Sequence, residues 1–201
     1  MAYLVLARHG ITDWNVSGKW QGVTDIPLND KGRKQAREIG EKLKNVKIDV
    51  VYTSELSRAK QTYEEICSNL GLVCPVAVDP ALNERDYGIY TGKNKWEIEK
   101  ELGQEKFTGL RRGWDFPVPE GETLQDVYLR VVPFYKEKIL PELKNGKNVL
   151  VVAHGNSLRA LIKYLENISD KEIPNLEIAA GEIYIYELDG NGQILSRKRE
   201  P

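Results

Sequence analysis

The sequence predicts an α/β fold of three layers, with a mainly parallel central sheet, helices on both faces and one partly helical lid insertion. Three observations carry that prediction. Five short runs rich in Val, Ile, Leu and Tyr, at residues 3–7, 50–53, 76–78, 149–153 and 183–188, have the length and composition of buried strands. Segments of helical periodicity lie between them, and such alternation marks a layered domain with parallel strands. One stretch, 83–121, breaks the alternation with a different composition.

Each element has its own warrant. The first and fourth runs are almost continuously apolar, as strands covered on both faces must be. After the first, Ala36, Ile39, Gly40 and Leu43 share one helix face, and Asn29 is placed to cap it. Leu56, Ala59, Tyr63, Ile66, Cys67 and Leu70 repeat at helical spacing after the second run. Leu158, Leu161, Ile162 and Leu165 do the same after the fourth. A longer helical pattern runs from Glu122 to about Leu143 and holds Pro133, where the missing N–H predicts a kink.

The excursion at 83–121 carries Trp96, Trp114, many charges and the pair Pro117 and Pro119. A lid over a site and an ordinary surface insertion are both readings of it. The chain is expected to form a single domain over 1–201. The charged tail 197–201 is expected to fray.

Composition narrows the function. The chain has 201 residues, 41% apolar and 29% charged, which is globular and excludes a disordered or collagen-like chain. A formal net charge of −1 gives no overall attraction to nucleic acid or anionic membranes. No run approaches a bilayer span, and the apolar stretch after Met1 is too short and lacks the positive flank of a signal peptide. A cytoplasmic protein is expected. Cys67 and Cys74 fit no metal or redox spacing and are read as small core hydrophobes.

The chemistry centres on two histidines, the only two in the chain. Leu4-Val5-Leu6-Ala7-Arg8-His9-Gly10 and Leu150-Val151-Val152-Ala153-His154-Gly155-Asn156 are both strands that end in His-Gly. Ligands of open α/β sheets bind beyond the carboxyl ends of strands. Two adjacent central strands would bring the imidazoles together there. A glycine after each lets the backbone turn, and a helix starting near Asn156 would aim N–H groups at an anion. The plain alternative is a pair of buried structural histidines. A metal pair would need a third ligand at matching spacing, and none is evident. Arg8 beside His9, and Arg58 opening the second helix, supply planar, permanently charged forks suited to phosphate oxygens.

Arg8-His9-Gly10-Ile11-Thr12-Asp13-Trp14-Asn15 resembles the signature of the histidine phosphatase superfamily, whose members include cofactor-dependent phosphoglycerate mutases. The resemblance continues through Gln21-Gly22, Asp25-Ile26-Pro27-Leu28-Asn29, Tyr52-Thr53-Ser54 with Arg58-Ala59, and Ala153-His154-Gly155-Asn156-Ser157. Leu82-Asn83-Glu84-Arg85-Asp86-Tyr87-Gly88, Thr91-Gly92-Lys93-Asn94-Lys95 and the run from Gly155 to Glu166 look like the mutase branch. Lys19-Trp20-Gln21-Gly22 and Gly121-Glu122-Thr123 look like the phosphatase branch, and the C-terminal tail is shorter than in some mutases.

The resemblance implies a phosphohistidine enzyme. His9 is the nucleophile, Glu84 the general acid–base, and Arg8, Arg58 and His154 complete the catalytic set. His154 is expected to be protonated beside a phosphoryl dianion. Asn15, Gln21, Gly22, Arg85, Tyr87, Lys95, Arg111, Arg112, Gly155 and Asn156 are the implied substrate-binding residues. The implied reaction interconverts 3-phosphoglycerate and 2-phosphoglycerate, with 2,3-bisphosphoglycerate as priming phosphoryl donor and no metal. The implied partner is a small phosphorylated metabolite, and family mutases suggest a homodimer. Hydrolysis of small phosphomonoesters on the same site, and a catalytically silent binding module, are the alternatives.

Overall fold

The computed structural model describes residues 1–73 and 75–200. Cys74 and Pro201 lie outside the described residues, so the expectation for Cys74 meets no test. Among the described residues one sheet has the strand order β3-β2-β4-β1-β5-β6. Its members are β1 (Ala2–Arg8), β2 (Val50–Thr53), β3 (Val76–Val78), β4 (Val149–Ala153), β5 (Ile183–Leu188) and β6 (Ile194–Glu200). The pairs β1/β4, β4/β2 and β2/β3 are parallel. Only β5 runs against its neighbours.

Helices cover both faces. On one side α2 (Asp30–Leu43) and α3 (Ser57–Leu70) pack Ile39, Leu43, Ala59, Ile66 and Cys67 onto Val5, Ala7, Val51, Leu150 and Val152. On the other, α6 (Leu124–Phe134) and α8 (Gly155–Leu165) pack Leu124, Val127, Val131, Leu158 and Leu161 onto Leu4, Leu6, Val149 and Val151. Neighbouring residues of β1 therefore serve opposite cores, which is why the run reads as continuously apolar. Asn29 caps α2 as expected, its side chain accepting from Gly32 N at 3.0 Å.

A short α1 (Asp13–Val16) follows the first histidine. The excursion holds α4 (Lys95–Leu102) and α5 (Gln104–Arg112), which share a small core of Trp20, Tyr87, Ile98, Phe107, Leu110 and Val118. No helix among the described residues is long and apolar enough to cross a membrane.

Two expectations need correction. The run 76–78 is a strand, but it lies at the sheet edge with Val76 and Val78 exposed rather than buried. Pro133 lies inside α6, and the helical run continues past it through one wide π turn at Tyr135–Ile139 into α7 (Leu140–Lys144). Pro141, in the first turn of α7, has no N–H to return to that turn and its ring crowds it, and the wider turn relieves the mismatch. The tail does not fray through Glu200, because β6 pairs along β5. Ion pairs Arg197–Glu166 and Arg199–Glu182 tie it down. Its charged, exposed side chains protect a sheet edge and hide the strand from any hydrophobic pattern.

Candidate active site

Parallel pairing sets Arg8 opposite Ala153. One residue further on, the two strand ends release His9 and His154 side by side. Their ring centroids are 5.0 Å apart at an interplanar angle of 57°. His9 N donates to Ala153 O at 3.0 Å, so the first histidine is still held by the neighbouring strand. The turn after it is squeezed between α2 and α3. Gly10 N donates to Thr62 Oγ1 at 3.2 Å, and a Cβ on Gly10 would lie 2.3 Å from Gly32 O. Glycine is required here by close approach of two backbones.

Hydrogen bonds fix both imidazoles. His9 Nδ1 lies 2.7 Å from Gly10 O. A carbonyl only accepts, so Nδ1 carries the proton and Nε2 keeps a free lone pair. Burial, with the charges of Arg58 and Arg8, pushes the His9 imidazole well below its ordinary value and keeps it neutral. His154 takes the other tautomer. Its Nδ1 accepts from Arg58 Nε at 3.2 Å, and Nε2–H donates to Ser54 Oγ at 2.7 Å. Burial and the Arg58 charge likewise push His154 well down. His154 is therefore neutral in this arrangement, because a proton on Nδ1 would break the bond from Arg58; the expectation of a protonated ring concerned a site that holds a phosphoryl dianion.

Arg58 is fully buried. Besides His154 it donates to Thr24 O and Gly22 O, each at 2.8 Å. Burial lowers it to about 10, so it stays cationic at neutral pH. Arg8 donates to Ile178 O, while its buried Nε has no partner among the described residues. Burial lowers Arg8 as well.

Glu84 is held by backbone donors. Its Oε1 accepts from Arg85 N at 2.8 Å and from Asn156 N at 3.1 Å. The start of α8 thus grips a carboxylate of the protein with one of the N–H groups expected to face a ligand. Glu122 explains part of the Gly121-Glu122-Thr123 segment. It accepts from Asp86 N at 2.9 Å and pairs with Arg130 at 2.9 Å. Arg130 in turn donates to Ala81 O, Asn83 O and Glu84 O. That segment braces the loop carrying Glu84.

Two adjoining cavities open over these groups. The smaller is lined by His9, Arg58, Asn15, Lys19, Gln21 and Gly22, together with Arg8, Trp20, Glu84, Tyr87 and Lys95. Those last five also line the larger, with Arg111, Arg112, Gly155, Asn156, Arg159, Leu176, Glu177 and Ile178. The larger presents five cationic side chains (Arg8, Lys95, Arg111, Arg112 and Arg159) against two carboxylates. Burial, then the charges of Arg111 and Arg8, bring Lys95 down to about 8.

Most of the residues expected to bind substrate therefore share one connected space. Arg85 departs from the expectation. It is fully buried, lines neither cavity, stacks on Tyr87 and donates to Leu110 O at 2.8 Å, capping the end of α5. His154 also lines neither cavity; it meets the site through its ring beside His9 and through the bond from Arg58.

Sequence reasoning missed Ser54, Arg159, Trp20 and Glu177. Arg159 follows Asn156 by three residues on α8, and that helical spacing could have found it. It donates to Asn156 Oδ1 at 2.9 Å and to Arg112 O at 2.8 Å, and burial lowers it to about 10. Glu177 carried no local signal, since it reaches the site only through the tertiary fold.

Residues 4–200 match the sequence profile described as histidine phosphatase superfamily (branch 1). A protein described as 2,3-bisphosphoglycerate-dependent phosphoglycerate mutase, from Bradyrhizobium diazoefficiens, is 44% identical over 197 residues, covering 96% of this chain and 95% of that one. Among solved structures, Bacillus stearothermophilus YhfR superposes with a TM-score of 0.85 at 29% identity, covering 96% of this chain and 94% of the other. A mycobacterial glucosyl-3-phosphoglycerate phosphatase superposes with a TM-score of 0.80 at 27% identity, covering 100% and 98%.

Proposed function

This chain belongs to the histidine phosphatase superfamily, and from that premise we propose that it interconverts 3-phosphoglycerate and 2-phosphoglycerate through a phosphohistidine at His9. The observation that carries the reading is the pair of joined cavities. One holds the nucleophile with Arg8 and Arg58, and the other offers Lys95, Arg111, Arg112 and Arg159 for a second anionic group of the same small molecule.

In this reading neutral His9 attacks phosphorus through Nε2. The phosphorus–nitrogen bond forms as the bond to the substrate oxygen breaks, and Glu84 in its acid form gives that oxygen a proton. In the reverse sense Glu84 takes the proton of an acceptor hydroxyl, which regains the phosphoryl group. Arg8, Arg58 and Asn15 face charge on the equatorial oxygens with fixed donors. His154 acts by holding Arg58 in place. Lys95, Arg111 and Arg112 take the carboxylate, so the substrate stays captured while it reorients. The excursion at 83–121 then serves as the lid, contributing those three residues.

A 2,3-bisphosphoglycerate donor suits the same space, with an unpartnered buried Arg8 Nε at the junction of the cavities. When bound, it supplies the phosphoryl group that loads His9. Its phosphates would rest on Arg8 and Arg58 at one end and on Lys95, Arg111 and Arg112 at the other. Metal plays no part in the reading.

A second reading, hydrolysis of a small phosphomonoester, is favoured by the likeness to the mycobacterial phosphatase. One tube separates the two. Isomerisation of 3-phosphoglycerate with catalytic 2,3-bisphosphoglycerate, and little phosphate released, supports the mutase. Phosphate release without isomerisation supports the phosphatase.

A further inference from the structure

Two carboxylates line the larger cavity. Glu84 is accounted for by its backbone donors and its place in the cavity that holds His9. Glu177 is not. Its Oε2 lies 2.7 Å from Arg112 Nη2 and its Oε1 lies 3.5 Å from Arg111 Nη2. That contact is the one ion pair Arg111 makes among the described residues.

The protein thus places its own carboxylate on the two arginines that the reading above gives to the substrate's carboxylate. The side chain can leave. It is 59% exposed, whereas its backbone is anchored, with Arg199 donating to Glu177 O at 3.0 Å. The arginine side chains are less free: they are 32% and 25% exposed, and Arg112 Nη1 also donates to Pro174 O at 3.5 Å. A carboxylate arriving in the cavity would meet more deeply set cations and one movable anion.

We propose that Glu177 is an internal competitor for the substrate carboxylate, occupying the Arg111–Arg112 pair in the empty enzyme and swinging to water when a carboxylate-bearing ligand binds. This rests on the mutase reading of the cavity. Glu177 then sets selectivity: it penalises binding of every ligand that must displace it, and it leaves untouched a ligand that stops at the His9 end.

The test is calorimetric titration of wild type and Glu177→Gln with 3-phosphoglycerate and with glycerol 3-phosphate, which lacks the carboxylate. The variant keeps the size of the side chain and removes its charge. Selective tightening of 3-phosphoglycerate by roughly two- to fivefold, the worth of an exposed ion pair, with glycerol 3-phosphate unchanged, supports the proposal. Equal tightening of both ligands overturns it in favour of a diffuse field effect. Unchanged or weaker 3-phosphoglycerate binding overturns it in favour of a structural tie between α5 and the 173–178 segment. Failure of wild type to bind 3-phosphoglycerate at all, with glycerol 3-phosphate still bound, overturns the mutase reading and this inference with it.

Discussion

A methyl group on Gly10 has no room. In the present backbone it would lie 2.3 Å from Gly32 O and 2.8 Å from Gly32 Cα, where real contacts stay above 3.0 Å. The first contact must open by about 0.7 Å, and both partners are backbone, so no side chain can swing aside. Gly10 also supplies the carbonyl that fixes the His9 tautomer. Gly10→Ala should therefore cost about 1–3 kcal/mol, as overpacking does, which at about 2–4 °C per kcal/mol for a chain of this size lowers Tm by roughly 2–12 °C. A displacement approaching ~1 Å at a nucleophile costs on the order of a hundredfold in rate. The assay is single-turnover labelling of His9 by 2,3-bisphosphoglycerate beside thermal unfolding. Gly190→Ala is the control, since a Cβ there meets nothing within 4 Å. Wild-type labelling and Tm in Gly10→Ala would refute the claim that this backbone contact places His9.

Two further outcomes follow from the site. Ser54→Ala strands the buried Nε2–H of His154, and should cost about 1–3 kcal/mol in urea unfolding; no loss would mean that Ser54 does not satisfy the ring. Lys95 is charged on the acid side of about 8 and neutral above it, so anion capture should weaken as pH rises through that value. Then kcat/KM falls above pH 8 while kcat holds, because a bound anion keeps the proton on Lys95. Lys95→Arg should move that limb to higher pH, and an unmoved limb would assign it to another group.

Much of this was legible in the residues. The strands β1 and β4 declare themselves because a strand covered on both faces must be apolar at every position. The histidines at their ends follow because parallel neighbours deliver equivalent positions to the same edge. Helices α2, α3 and α8 show because each buries one stripe. The strand β6 left no such trace, as an edge strand needs only backbone pairing and is better protected by charge. Its hairpin turn, Asp189-Gly190-Asn191-Gly192, went unread in the sequence; in the structure Asp189 Oδ1 accepts from Asn191 N and Gln193 N.

By itself, then, the sequence determined the layered fold, the paired histidines and the cationic character of their surroundings, because these depend on local periodicity and on residue chemistry. Only the tertiary structure decided which guanidinium does which work. Arg85 and Arg112 are both arginines of the same excursion. One is fully buried, capping a helix through its carbonyl oxygens, and the other lines the cavity, paired with a glutamate 65 residues further on. Charge is written in the chain, but the direction in which a flexible, charged side chain points is settled by which backbone and which counter-charge the fold brings within hydrogen-bonding distance.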